Sequence, residues 1–148
     1  ATIAACDPRL SSTDVTLALL NRERIASTAV GDSVAVPHAR LAGLTRTIAV
    51  FARSVPGVDF AAFDGQMTHL LFAVVTPAES SDHLKVLSRA ARLLSDGRFR
   101  GQLMAAQDAD EIFSLLCGRD QPAQPGARLG VVGAVASAER ATFVGRAG

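Results

Sequence analysis

Tryptophan and tyrosine are absent from this 148-residue chain, and aromatic residues make up only 5% of it. Base-stacking surfaces are built from aromatic rings set among basic side chains, so the composition argues against a nucleic-acid binder. Charge of one sign is lacking too. The 15 Lys and Arg stand against 14 Asp and Glu, for a formal net charge of +1. No strong field therefore favours nucleic acid or an anionic lipid surface. No apolar run reaches the ~20 residues that a membrane-spanning helix needs, so no membrane insertion is expected. Cysteine is scarce: Cys6 and Cys117 form no CxxC pair. Two lone, inert thiols suit a reducing, cytoplasmic setting. The N-terminus, ATIAACDPRL, has no basic stretch followed by an apolar one, so no signal peptide is read there. The missing initiator Met implies a processed chain or a fragment.

What is present suits a compact fold: 49% hydrophobic and 20% charged residues. Residues 11–24, SSTDVTLALLNRER, read as a helix capped by Ser11 or Ser12, with Val15, Ala18, Leu19 and Leu20 as its apolar stripe. Residues 33–36 read as a short strand ended by Pro37, and residues 47–52, TIAVFA, as a second strand. Pro56–Gly57 marks a turn, followed by an edge strand. HLLFAVVTP, residues 69–77, is an almost unbroken apolar run and suits a central strand buried on both faces. A helix follows it, with Ser80, Ser81 or Asp82 as N-cap, Leu84, Leu87, Ala91 and Leu94 on its apolar stripe, and Gly97 as its stop. FRGQLMAA gives another helix. DADEIFSLL opens with an Asp108–Glu111 capping box and gives the last. Alternating strands and helices predict a single α/β domain, with a mixed β-sheet flanked by helices. The domain is placed at 1–117. Residues 118–148, rich in Gly, Ala and Pro, read as a linker or poorly ordered tail.

There are three histidines. His38 follows a strand at once, on the corner made by Pro37. His83 lies in the first turn of a helix, where free backbone N–H groups welcome phosphate. Ligand sites of α/β sheets favour such places. His69 instead begins its strand, roughly 20 Å from the far end at about 3.3 Å per residue, so it is expected outside any site with His83 and reads as a strand-edge or core histidine. A neutral imidazole is a good nucleophile, and a guanidinium grips phosphate in a fork, which makes Arg22 and Arg40 candidate partners. A histidine phosphocarrier is one reading. A hydrolase triad lacks a GxSxG elbow. A metal site on His38, His83 and Asp82 lacks ligand spacing, so no metal and no cofactor is expected.

The segment NRERIASTAVGDSVAVPHAR resembles the active-site segment of enzyme IIA domains of the bacterial phosphoenolpyruvate-dependent phosphotransferase system, in the mannitol, fructose and nitrogen-regulatory class. The matching residues are Arg22, Glu23, Ser27, Thr28, Gly31, Pro37 and His38. HLLFAVVTPAESSDHLKVLSRAARLL and LMAAQDADEIFSLL resemble that family's buried strand, His-Leu helix and closing helices. The resemblance implies that His38 accepts a phosphoryl group from an HPr-type carrier protein, that His83 is the second active-site imidazole, and that Arg22 stabilises the phosphoryl group. It implies that Pro37 holds the His38 ring out, rigid and accessible, to a partner. Two features depart from the family pattern. The part before the Arg-Glu helix is short, so the N-terminal part is expected to be shortened relative to the family, leaving a sheet edge open to pairing as a homo-oligomer. The tail has no family counterpart, although LGVVGAV and ATFVG would suit strands folding back over that gap.

The segment VDFAAFDGQMTHLLFAVVTPAESSDHL and the ending AAQDADE look closer to the nitrogen-regulatory type, which acts on a regulated target protein. The alternatives are a sugar-transport IIA that passes phosphate to a fructose- or mannitol-type IIB domain, and a degenerate binding module that is never phosphorylated. Of the neighbouring residues, Glu23 reads as a surface salt-bridge partner. Ser27 and Thr28 read as turn residues within hydrogen-bonding reach of the His38 segment, and Arg40 as part of a partner-docking surface.

Overall fold

The structure is a computed structural model that describes residues 2–119, 131–137 and 140–143. Helix α1 spans Thr2–Ala5 and α2 spans Ser12–Ile25. Ser11 is the N-cap of α2: its Oγ accepts from the Thr13 and Asp14 amides at 3.2 and 3.4 Å. Such a cap stabilises a helix by about 1 kcal/mol. Val15 is buried and Leu19 packs beside it, but Leu20 is 47% exposed. Val15 and Leu19 are four apart and share a face, whereas Leu20 is rotated away from it.

Strand β1, Ala29–Gly31, turns through Asp32 and Ser33 into β2, Val34–Ala35, its antiparallel partner. Gly31, Asp32 and Ser33 have φ of +87°, +53° and +64°. Backbone strain in this segment therefore sits in that turn rather than at Pro37. β3 follows at His38–Leu41. β4, Ile48–Val58, and β5, Thr68–Pro77, are the long strands and pair antiparallel. β2 and β3 both lie parallel to β5 on its other side, with Val34 opposite Leu70 and His38 opposite Val74. Pro37 interrupts the strand without turning it, because its carbonyl still accepts from the Val74 amide at 2.8 Å. His38 therefore opens a strand and does not stand on a corner.

The expected turn at Pro56–Gly57 is instead a bulge inside β4. Between the pairs Arg53–Leu70 and Val58–Thr68 the register shifts, and Gly57 sits there at φ +82°. A bulge tolerates both the missing amide of proline and a left-handed glycine. β5 is central as expected. Its first half alternates between buried and half-buried positions, and Val74 to Thr76 are buried without a break.

Three helices follow: α3 at His83–Leu93, α4 at Gly97–Ala105 and α5 at Ala109–Arg119. The buried face of α3 carries His83, Ala90 and Leu94, with Val86 and Leu87 packed beside them. Leu84 and Ala91 face outward, contrary to expectation. Gly97 does not stop α3. It begins α4, whose N-cap is Asp96, accepting from the Arg98 and Phe99 amides. Arg53 closes the other end of α4: its Nη1 donates to the carbonyls of Leu103, Met104 and Ala106. The Asp108 cap of α5 forms, with the Glu111 amide at 2.8 Å, but the Glu111 carboxylate reaches back to the Gln107 amide rather than to that of Asp108.

The sheet separates two apolar layers. Val34, Phe51, Phe72 and Val74 pack under α3, α4 and α5. Ala39, Ile48, Val50 and Val75 pack under α1 and α2. Neighbours such as Val50 and Phe51 go to opposite layers, as the twofold period of a strand requires. Within 118–148, Gly118 and Arg119 finish α5. The described residues beyond them form β6, Val131–Ser137, parallel to β4, and β7, Arg140–Phe143, antiparallel to β6. The rest of that expected linker lies outside the described residues. The described strands form one mixed sheet in the order β1-β2-β5-β4-β6-β7, with β3 also on β5, in a single α/β domain. Among the described residues, no helix is long and apolar enough to cross a membrane.

Candidate active site

His38 is half-buried at the start of β3. Its Nδ1 lies 2.8 Å from the Val36 carbonyl oxygen, and the Arg22 Nε–H donates to its Nε2 at 3.0 Å. A carbonyl can only accept and a guanidinium can only donate. Both contacts therefore demand the same neutral tautomer, with the proton on Nδ1 and the lone pair on Nε2. Arg22 comes from the last turn of α2, where its Nη1 also donates to the Ala26 carbonyl at 3.0 Å.

Glu23, next to Arg22, is not a surface salt-bridge partner. Both of its carboxylate oxygens accept from the Thr28 amide, at 3.0 and 3.1 Å, and one also accepts from the Thr28 hydroxyl. This ties the end of α2 to the entry of β1. The Thr28 carbonyl in turn accepts from the Val36 amide at 3.0 Å, so it is backbone that connects this segment to the His38 strand. Ser27 points elsewhere, its hydroxyl donating to the Phe60 carbonyl at 2.5 Å.

His83 is buried at the first position of α3, with its ring centroid 5.5 Å from that of His38 and the planes tilted by 59°. Its Nδ1 is 2.6 Å from the Thr76 hydroxyl. Burial lowers its pKa below the ordinary value, and the positive charge of Arg40 lowers it further, followed by proximity to His38 and to the charge of Arg22. His83 is therefore neutral at physiological pH. Arg40 is exposed. Its Nη1 donates to the carbonyls of Ala78 and Ser80, at 3.0 and 2.9 Å, and so holds the loop that leads into α3.

The structure thus brings His38, His83 and Arg22 together from α2, β3 and α3. His69 lies at the other end of β5, with Nδ1 2.9 Å from the Ser54 carbonyl. Among the described residues, no three His, Cys, Asp or Glu side chains cluster closely enough to hold a metal ion. Thr76 is the site residue that sequence reasoning missed. Its signal was small: a polar residue at the end of an apolar run, just before Pro77.

The family model of the phosphoenolpyruvate-dependent sugar phosphotransferase system, EIIA 2, matches residues 5–117. A nitrogen regulatory protein of Bradyrhizobium diazoefficiens is 43% identical over 99 residues, which cover 66% of this chain and 65% of that protein. A fructose-specific EIIABC component of the phosphotransferase system in Bacillus subtilis is 38% identical over 105 residues, covering 70% of this chain but 16% of that protein. The crystal structure of nitrogen regulatory protein IIA-Ntr from Neisseria meningitidis superposes with a TM-score of 0.69 at 37% identity, over 73% of this chain and 75% of that one.

Proposed function

The chain belongs to the EIIA 2 family of the phosphoenolpyruvate-dependent sugar phosphotransferase system, and we propose that it is a cytoplasmic phosphocarrier with His38 as the phosphorylated residue. The observation that carries this reading is the Nε2 of His38, deprotonated by the Val36 contact at Nδ1 and facing Arg22. The donor is an HPr-type phosphocarrier protein. The Nε2 lone pair forms the new N–P bond while the N–P bond of the donor imidazole breaks, and that bond's electron pair returns to the donor nitrogen. His38 need not lose a proton, because Nδ1 keeps its own against Val36. Arg22 then turns its donors from the occupied Nε2 to the phosphoryl oxygens, where charge-assisted hydrogen bonds are strongest. His83 stands close enough to contribute a second contact.

The role is regulatory: phosphorylation at His38 changes how the protein engages a target, as the similarity to nitrogen regulatory proteins suggests. The similarity to a fructose-specific component favours a second reading, in which the phosphate passes on to an enzyme IIB domain. Incubation with a phosphoenolpyruvate-charged HPr-type carrier, followed by intact-mass measurement and site mapping, tests the shared claim. One phosphate on His38 is expected. A phosphate elsewhere, or none on a folded chain, overturns it. Discharge by a fructose-type IIB domain then separates the two roles.

A further inference from the structure

We infer that Thr76 is a positioning residue: its hydroxyl donates to His83 Nδ1 and so fixes His83 as the tautomer whose Nε2–H can face a phosphoryl oxygen. Thr76 is fully buried, and among the described residues His83 is the hydrogen-bond partner of its hydroxyl, at 2.6 Å. Two proton arrangements fit that distance. If Nδ1–H donated to the hydroxyl, the hydroxyl's own proton would be left without an acceptor in a place shut off from water. If the hydroxyl donates, one bond satisfies both its proton and the Nδ1 lone pair. The second arrangement is the stable one.

It also suits an anion. Val74 and Thr76, two apart on β5, stand in register with His38 and Arg40 on β3. Residues two apart in a strand share a face, so Thr76 reaches His83 from the side of the sheet that carries the His38 ring. A neutral imidazole offers one donor. With Nδ1 occupied by Thr76, that donor is Nε2–H, on the edge of the ring away from the strand. The opposite tautomer would present a lone pair to the phosphoryl oxygens. Part of the donor capacity near the site is used on backbone, since Arg40 Nη1 holds the carbonyls of Ala78 and Ser80 and Arg22 Nη1 holds that of Ala26, so the His83 Nε2–H adds to the Arg22 Nε–H.

The tautomer claim stands by itself, whereas its effect on rate rests on the phosphocarrier reading. The test uses the full chain labelled with nitrogen-15 histidine, as wild type, Thr76→Val and Thr76→Ser. Long-range proton–nitrogen spectra read which His83 nitrogen carries the proton. Wild type and Thr76→Ser are expected to show a proton on Nε2 and a bare Nδ1, and Thr76→Val a shifted or mixed pattern. Phosphoryl transfer from the HPr-type carrier is expected to slow roughly tenfold in Thr76→Val and to return in Thr76→Ser. A proton on Nδ1 in the wild type overturns the inference, as does a Thr76→Val chain with unchanged His83 signals and rate. If Thr76→Val does not fold, the wild-type and Thr76→Ser spectra still decide. Absence of phosphate on the wild type would count against the phosphocarrier reading, and the spectra would still judge Thr76.

Discussion

His38 and His69 are held in nearly the same way. Each is half-buried on a strand of the same sheet, with Nδ1 against a main-chain carbonyl, Val36 at 2.8 Å for one and Ser54 at 2.9 Å for the other. Each neutral ring thereby carries its proton on Nδ1 and its lone pair on Nε2. The difference lies on the far side of the ring. The Nε2 of His38 meets the Arg22 guanidinium, with a second imidazole 5.5 Å away. The ring of His69 closes on Gly57, where even a Cβ would come within 3.0 Å of its Cε1 and 3.3 Å of its Nε2. On the proposed function, what sets the phosphorylated ring apart is space for the group and a cation for its charge.

The largest expected effect breaks the comparison outright. His38→Ala should abolish phosphate acceptance, while His69→Ala should leave it intact and cost about 1 kcal/mol of stability through the lost Ser54 hydrogen bond. Intact mass after exposure to the charged carrier, with chemical unfolding alongside, checks both. Phosphate retained in His38→Ala would move the site elsewhere. Next comes Arg22→Gln, which keeps hydrogen-bonding capacity but removes the charge beside His38. Transfer should slow by about a hundredfold, as when one preorganised donor to a developing anion is removed. A single-turnover rate near that of the wild type would mean that another group carries the charge.

Gly57→Ala sharpens the other side. Gly57 has φ +82°, and a Cβ there would meet the Met67 Cβ at 2.8 Å as well as the His69 ring. The substitution should cost about 1–3 kcal/mol in unfolding midpoint measurements. The folded fraction should still accept phosphate, because the strain is confined to the His69 end of β5. Loss of acceptance in a folded Gly57→Ala chain would mean that the two ends are coupled.

Much of this contrast was legible in the sequence. The run 69–77 marked the central strand, and Ser11 and Asp108 marked helix starts, because caps and apolar runs are local signals. Resemblance drew His38, Arg22 and His83 together across 61 residues, which periodicity alone could not do. The misread places are those where a distant partner decides. Pro37 looked like a break, but β5 carries the ladder past it through the Pro37 carbonyl. Pro56–Gly57 looked like a turn, but β5 absorbs it as a bulge. Gly97 looked like a stop until Asp96 capped the helix it begins. Glu23 looked like a surface salt-bridge partner, although it is spent on the amide and hydroxyl of Thr28 in the neighbouring loop. The Gly- and Ala-rich stretch of β6 has little strand character without β4 beside it.

The smallest expected effect concerns His83, the residue that most separates the two ends of β5. Burial, then Arg40, His38 and Arg22, depress its pKa below the ordinary 6.5. In the window between that depressed value and 6.5, the unfolded chain binds a proton at His83 that the folded chain does not. Stability then rises with pH through the window, and acidification below about 6.5 removes it. Urea midpoints from about pH 7.5 down to about pH 5.5 should therefore fall further in the wild type than in His83→Gln, which cannot take up that proton. Equal falls would show that the fold leaves the proton affinity of His83 unchanged. The neutral ring on which the Thr76 hydrogen bond depends would then have to be established from the nitrogen spectra alone.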